Sequence, residues 1–229
     1  MNQKRDAYDK LFELIDKDLF FQNGINDIVF VKNEKIKSHW EELQKSIFEN
    51  KTVFIRGYGR DAKGTELYFK LYEKMFGNTN IKKDPSNNTE PTKVLKSLTQ
   101  YSKIKHEEKT LIVNYQISHI FGKTKNPFLF TSPWNIAYIP KYLDPFTGHE
   151  TQGEHSIFFK KLLLPIVKNQ FKVYIEEYNF LIRSKIKCRI DESLDFVKAS
   201  AKISSAEFDR FELDVRKELC EISFDELFQ

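Results

Sequence analysis

Cysteine, glycine and proline are scarce in these 229 residues, at 2, 8 and 7. The two thiols, Cys188 and Cys220, stand far apart and form no Cys-x-x-Cys pair. That excludes a zinc knuckle built from paired cysteines and a disulfide framework. Both lie in apolar-periodic segments, so buried, inert thiols are expected. Eight glycines against 21 phenylalanines favour long regular elements over a loop-rich fold. No apolar run approaches the ~20 residues of a membrane-spanning helix. Met1–Asp6 lacks the apolar segment of a secretion signal. A cytoplasmic protein with no membrane partner is therefore expected.

What is present is ample material for a core: 40% hydrophobic and 14% aromatic residues, which argues against global disorder. The net charge of +4 is modest but unevenly spread. Residues 51–105 carry 12 basic and 5 acidic side chains, whereas residues 176–229 carry 9 and 13. A basic face suits a polyanion, because each neutralised phosphate releases counterions.

Taken in order, Tyr8, Leu11, Phe12, Ile15 and Leu19 have helical spacing and predict a helix over 3–21. Ile28–Val31 reads as a short strand, and Ser38-His39-Trp40-Glu41 has capping-box form. A strand at Val53–Ile55 runs into a glycine-interrupted basic loop with Arg56, Tyr58, Arg60 and Lys63, and a helix follows. Lys63 precedes Gly64 and Thr65, the wrong order for a phosphate-binding P-loop. Arg56, Arg60 and Lys63 are nonetheless candidate DNA contacts, since a helix N-terminus with basic neighbours suits phosphate. Ile81–Pro91 reads as a polar loop, and Thr110–Ser118 as a strand. Pro165 is expected to kink a helix or separate two, and 191–221 to be wholly helical with a cap at Ser204. Three regions follow: 1–105, an α/β lobe expected to contact DNA; 106–175; and a helical 176–229.

The densest stretch is Asn114–His155, with three of the five histidines and four of the seven prolines. His119 ends the predicted strand, a polar loop with Gly122 and Asn126-Pro127 turns the chain, and Trp134–Pro140 returns. His149 follows, before a helix starting near Gly153. This order of strand-His, loop, Asn-strand and His-before-helix resembles the HNH (ββα-metal) nuclease motif, over about a fifth of the chain. The resemblance implies an α+β fold, mostly helical around a central hairpin-helix module at 106–175. It implies His119, Asn135 and His149 as the catalytic trio, with one divalent ion, Mg²⁺ or Mn²⁺. Asn135 would hold the base through the hairpin or ligate that ion, and His149 would complete the metal shell. Lys123 and Lys125 in the hairpin loop are candidate phosphate contacts.

Two departures stand out. Many family members carry an acidic ligand just before the first histidine, where this chain has Ser118. An extra turn over Tyr142–Gly148 precedes the helix, which leaves Asp144, Glu150, Glu154 and His155 as alternative ligands. The size resembles that of type II restriction endonucleases of the HNH class, acting on double-stranded DNA with room for homodimer contacts. A non-catalytic nucleic-acid-binding protein with a degenerate motif, or a helical interaction protein, are the alternatives.

Overall fold

A computed structural model describes residues 6–58, 62–147 and 153–224. The chain begins with helices α1 (Ala7–Leu14), α2 (Lys17–Asn26) and α3 (Asn33–Phe48). Next, β1 (Val53–Ile55), α4 (Ala62–Phe76) and β2 (Ile81–Lys83) form a parallel crossover unit, with Val53 opposite Ile81. α5 (Thr89–Leu98) leads to a second parallel pair, β3 (Tyr101–Ser102) and β4 (Thr110–Leu111). β5 (Tyr115–His119) and β6 (Ile136–Pro140) make an antiparallel hairpin in which His119 faces Ile136. A 3-10 turn over Lys141–Thr147 precedes α6 (Glu154–Leu181). That helix continues through a π-helical stretch, Ile182–Ile186, into α7 (Lys187–Ser200), and α8 (Ser205–Glu218) follows. The fold is α+β, mostly helical, with three small sheets among the described residues.

The hairpin runs through the middle of the core. Every residue of β6 is buried. Val29 adds a further rung at its free edge: Val29 N–H donates to the Tyr138 carbonyl at 2.9 Å, and Tyr138 N–H donates back at 3.1 Å. The predicted strand at Ile28–Val31 is thus reduced to one bridge. Trp134, just before β6, packs edge-on against Trp40 of α3 at 5.5 Å, and the Trp40 indole N–H donates to Glu177 of α6 at 2.9 Å. One hydrophobic cluster extends from Phe21 to Ile222 and crosses the expected boundaries near 105 and 175.

Several local expectations give way to tertiary or capping effects. The single helix over 3–21 is two helices, because Asp16 caps the second by accepting the Leu19 N–H at 2.8 Å. α3 starts at Asn33, not Ser38, since Ile36 is drawn into the core and Asn33 is tied to α6 through Gln170 and Tyr174. The strand over Thr110–Ser118 breaks at Asn114, which takes φ +61 and places its carbonyl on the Lys141 N–H at 2.8 Å. α6 is kinked, but at Phe171 (φ −114, ψ 17) and not at Pro165, which sits on the solvent face. The helical 191–221 is divided between α7 and α8, and Ser204 forms the expected capping box with Glu207. The thiols are not buried: Cys188 is exposed and Cys220 half-buried. No helix among the described residues is long and apolar enough to cross a membrane.

The segment 81–91, read as a polar loop, is organised by a buried carboxylate. Asp84 is fully buried and accepts from the backbone N–H groups of Ser86 (3.0 Å), Thr89 (3.0 Å) and Glu90 (2.7 Å). Two of these are unpaired donors of the first turn of α5, so Asp84 caps that helix from outside it. Its own N–H donates to the Ile55 carbonyl at 2.8 Å, which joins the cap to β1. Asp84→Ala leaves three N–H groups without an acceptor and is expected to cost about 2–4 kcal/mol, summing a lost cap and buried unsatisfied donors. Urea unfolding measures it; a loss below about 0.5 kcal/mol would mean water replaces the carboxylate.

Candidate active site

β5 delivers His119 to the wall of a cavity of about 550 Å³ bounded by the hairpin loop, by α6 and by the segment after α8. The histidine is nearly buried, and its ring lies flat on Phe130 at 5.2 Å and 11°. Its Nε2 is 2.9 Å from the Phe130 carbonyl oxygen. A carbonyl only accepts, so Nε2 is the donor in this contact. The strand-end imidazole is thereby held in place by the loop it faces.

Asn135 shapes that loop. It is fully buried; its Oδ1 accepts the Phe121 N–H at 2.9 Å, and its Nδ2 donates to the carbonyls of Leu129 (2.9 Å) and Gly122 (3.3 Å). Both ends of the amide are spent on backbone, and none of Asn135 lines the cavity. The hairpin-holding alternative fits this placement; the metal-ligand alternative does not, since the side chain offers the cavity no oxygen. Asn126, equally buried, repeats the device: Nδ2 donates to the Tyr178 hydroxyl (2.8 Å) and the Glu218 carbonyl (2.9 Å), and Oδ1 accepts the Phe128 N–H. The loop is therefore clamped to α6 and α8.

The charged residues divide into committed and uncommitted groups. Lys125 is committed: its ammonium lies 3.0 Å from Glu218 and 3.2 Å from Asp214, with 17% of the side chain exposed. Burial lowers its pKa, but Glu218 and Asp214 outweigh that and hold it above the usual lysine value. Burial lifts the Glu218 carboxyl above its ordinary range despite Lys125. Lys123, in a left-handed conformation (φ +49), donates to the Lys217 carbonyl at 2.6 Å and contacts the Cys220 sulfur at 2.7 Å. Both hairpin lysines thus brace α8: Lys125 is paired with two carboxylates, whereas Lys123 is tethered to a carbonyl and a sulfur and lines the cavity.

Arg56 also lines the cavity, its N–H donating to the Thr124 carbonyl at 2.9 Å. Lys160 of α6 and Lys217 of α8 share that lining. Among the described residues none of these three cationic heads has a carboxylate partner. Sequence reasoning missed Lys160 and Lys217, which were hidden in helical segments with no motif of their own. Arg60 and His149 lie outside the described residues, as does Glu150; Lys63 lies in the first turn of α4. His155 points elsewhere, with Nε2 2.8 Å from Asp9 and its ring on Phe12. Glu154 is exposed in the first turn of α6, and Asp144 sits in the 3-10 turn. Among the described residues no three His, Cys, Asp or Glu side chains gather into a metal-holding group.

The Lys125 cluster yields a signed prediction. Lys125→Met strands Glu218 beside Asp214 and is expected to cost about 3 kcal/mol at neutral pH. The lost cation raises the Glu218 pKa further above its unfolded value. Between those two values the folded state binds the extra proton, so stability falls as pH rises and the deficit is smallest at low pH. Denaturation of the variant and wild type at about pH 5 and pH 7.5 tests this. An equal deficit at both pH values would remove Glu218 as its source.

Residues 31–224 match the family described as "Uncharacterised protein PM1201". A Pasteurella multocida (strain Pm70) protein of that description is 37% identical over 211 residues, covering 91% of this chain and 93% of its own length. No solved structure matches the chain. The extent of both alignments makes this chain a member of the PM1201 family.

Proposed function

We propose that this chain is a metal-dependent endonuclease of the HNH type that hydrolyses phosphodiester bonds in double-stranded DNA, in the manner of a restriction enzyme. The observation that carries the reading is His119, at the end of a hairpin strand, anchored through Nε2 on the Phe130 carbonyl and facing a cavity with three uncommitted cations. An imidazole so anchored is the group proposed to take the proton of the attacking water. Asn135 supports it at one remove, because the loop it holds carries the anchoring carbonyl. Arg56, Lys160 and Lys217 supply positive charge where a phosphate must dwell.

A divalent ion, Mg²⁺ or Mn²⁺, would neutralise developing charge on the scissile phosphate and leaving oxygen. The described residues supply no complete ligand set for it, so no step is derived through it. His149 is the proposed ligand, only two positions beyond Thr147, which lines the cavity. A second reading, a DNA-binding protein with a degenerate motif, draws on Ser118 in place of an acidic ligand.

The test is nicking of supercoiled plasmid in Mg²⁺ or Mn²⁺, with a chelator control. His119→Ala is expected to lower the cleavage rate by about 10²-fold or more, the usual contribution of a general base, while DNA affinity stays near wild type. Cleavage by the variant at wild-type rate would exclude His119 as the base. Binding without cleavage by the wild type would favour the second reading.

A further inference from the structure

The cavity beside His119 carries an electrostatic imbalance of its own. Arg56, Lys160 and Lys217 reach it from β1, α6 and α8 without carboxylate partners among the described residues. The two acids that share the wall are already neutralised, Glu218 by Lys125 and Glu221 by Arg183. Lys123, tethered to a carbonyl and a sulfur, adds a fourth positive charge to the lining; such like charges repel one another, and an anion placed among them relieves that repulsion.

Size and lining narrow the anion. About 550 Å³ lies within the range of small-molecule sites. It cannot hold a duplex, which meets its proteins over about 1,000 Å² or more of surface. Besides the cations, the wall includes the nearly buried side chains of Phe121 and Ile222. The Phe121 ring is fixed by edge contacts to Trp134 at 6.1 Å and Phe224 at 5.9 Å. Fixed aromatic and aliphatic surface beside cations is the combination that single nucleotides use, stacking the base and pairing the phosphate.

We infer that this cavity seats one deoxynucleotide unit, with Arg56, Lys160 and Lys217 as its phosphate contacts and the apolar wall as the seat of its base and sugar. The inference deepens the endonuclease reading by naming what enters the cavity, a single nucleotide of one strand beside His119. The seat itself requires no bond cleavage.

Thermal unfolding in metal-free buffer with chelator tests it, using a 2′-deoxynucleoside 5′-monophosphate, the matching deoxynucleoside and inorganic phosphate as probes. The monophosphate is expected to raise Tm by roughly 5 °C or more at a hundredfold excess over its Kd, the nucleoside to leave it unchanged, and phosphate to act more weakly. The double variant R56Q/K160Q should lose the shift. Its own Tm should stay near wild type, because neither head holds an internal partner; K217Q serves as an independent second variant. No shift with the monophosphate up to millimolar concentration overturns the proposal, as does a shift that survives in both variants. Equal shifts with phosphate and monophosphate overturn the nucleotide assignment. The two readings fail separately: a shift in a protein that cuts no DNA keeps the seat and removes the nuclease, and cleavage without a shift does the reverse.

Discussion

The buried amide of Asn135 is the constraint on which the rest of the hairpin depends. A loop of this length, between Ile120 and Trp134, has many backbone N–H and C=O groups that β pairing does not satisfy, and burial makes each costly to leave unpaired. Asn135 satisfies one N–H and two carbonyls from the centre of the loop. The loop can then be packed into the core, with Phe128, Leu129 and Phe130 wholly buried. Packing in turn fixes the Phe130 carbonyl that holds His119. An apolar residue at 135 would leave those groups to water, and the loop would move outward with the carbonyl.

A second layer ties this loop to the remainder of the molecule. Asn126 and Lys125 reach α8, Tyr72 of α4 donates its hydroxyl to the Lys125 carbonyl at 2.6 Å, and the Tyr68 hydroxyl donates to Asp214 at 2.5 Å. Charges buried this way are favourable only when hydrogen bonds complete them, and each member here has more than one partner. The Tyr178 hydroxyl extends the network to the Cys220 carbonyl, and Asn179 pairs with both backbone groups of Ile222. These bonds hold the segment after α8 as a wall of the cavity.

Local patterns made part of this legible from sequence. The capping box at Ser204, the hairpin around Gly122 and Asn126-Pro127, and the stripe of Phe208, Phe211, Val215 and Leu219 depend on neighbours a few residues apart, and they stand in the structure. The Asp84 cap was invisible because its meaning lies in β1 and α5 together. The start of α3 was misplaced because Ser38 has the right local form while Ile36 and Asn33 have the tertiary contacts. His119 and Asn135 could be singled out by order and spacing. Lys125 could not be separated from Arg56 by sequence, since both are basic residues in loops; only the carboxylates of α8 distinguish a neutralised cation from an available one.

That distinction also revises what segment charges mean. Residues 176–229 are acidic in sum, yet their carboxylates are largely consumed at home or by the loop: Asp214 and Glu218 on Lys125, Glu221 on Arg183, Asp191 and Glu212 on Arg216. Lys217 stands among them without a carboxylate partner among the described residues and lines the cavity. An acidic helix therefore contributes a cation to the cavity lining, and of the two hairpin lysines only Lys125 is neutralised by carboxylates. What an incoming anion meets is the charge left after internal pairing, and that remainder is set by which α8 residues point at the loop and which point past it.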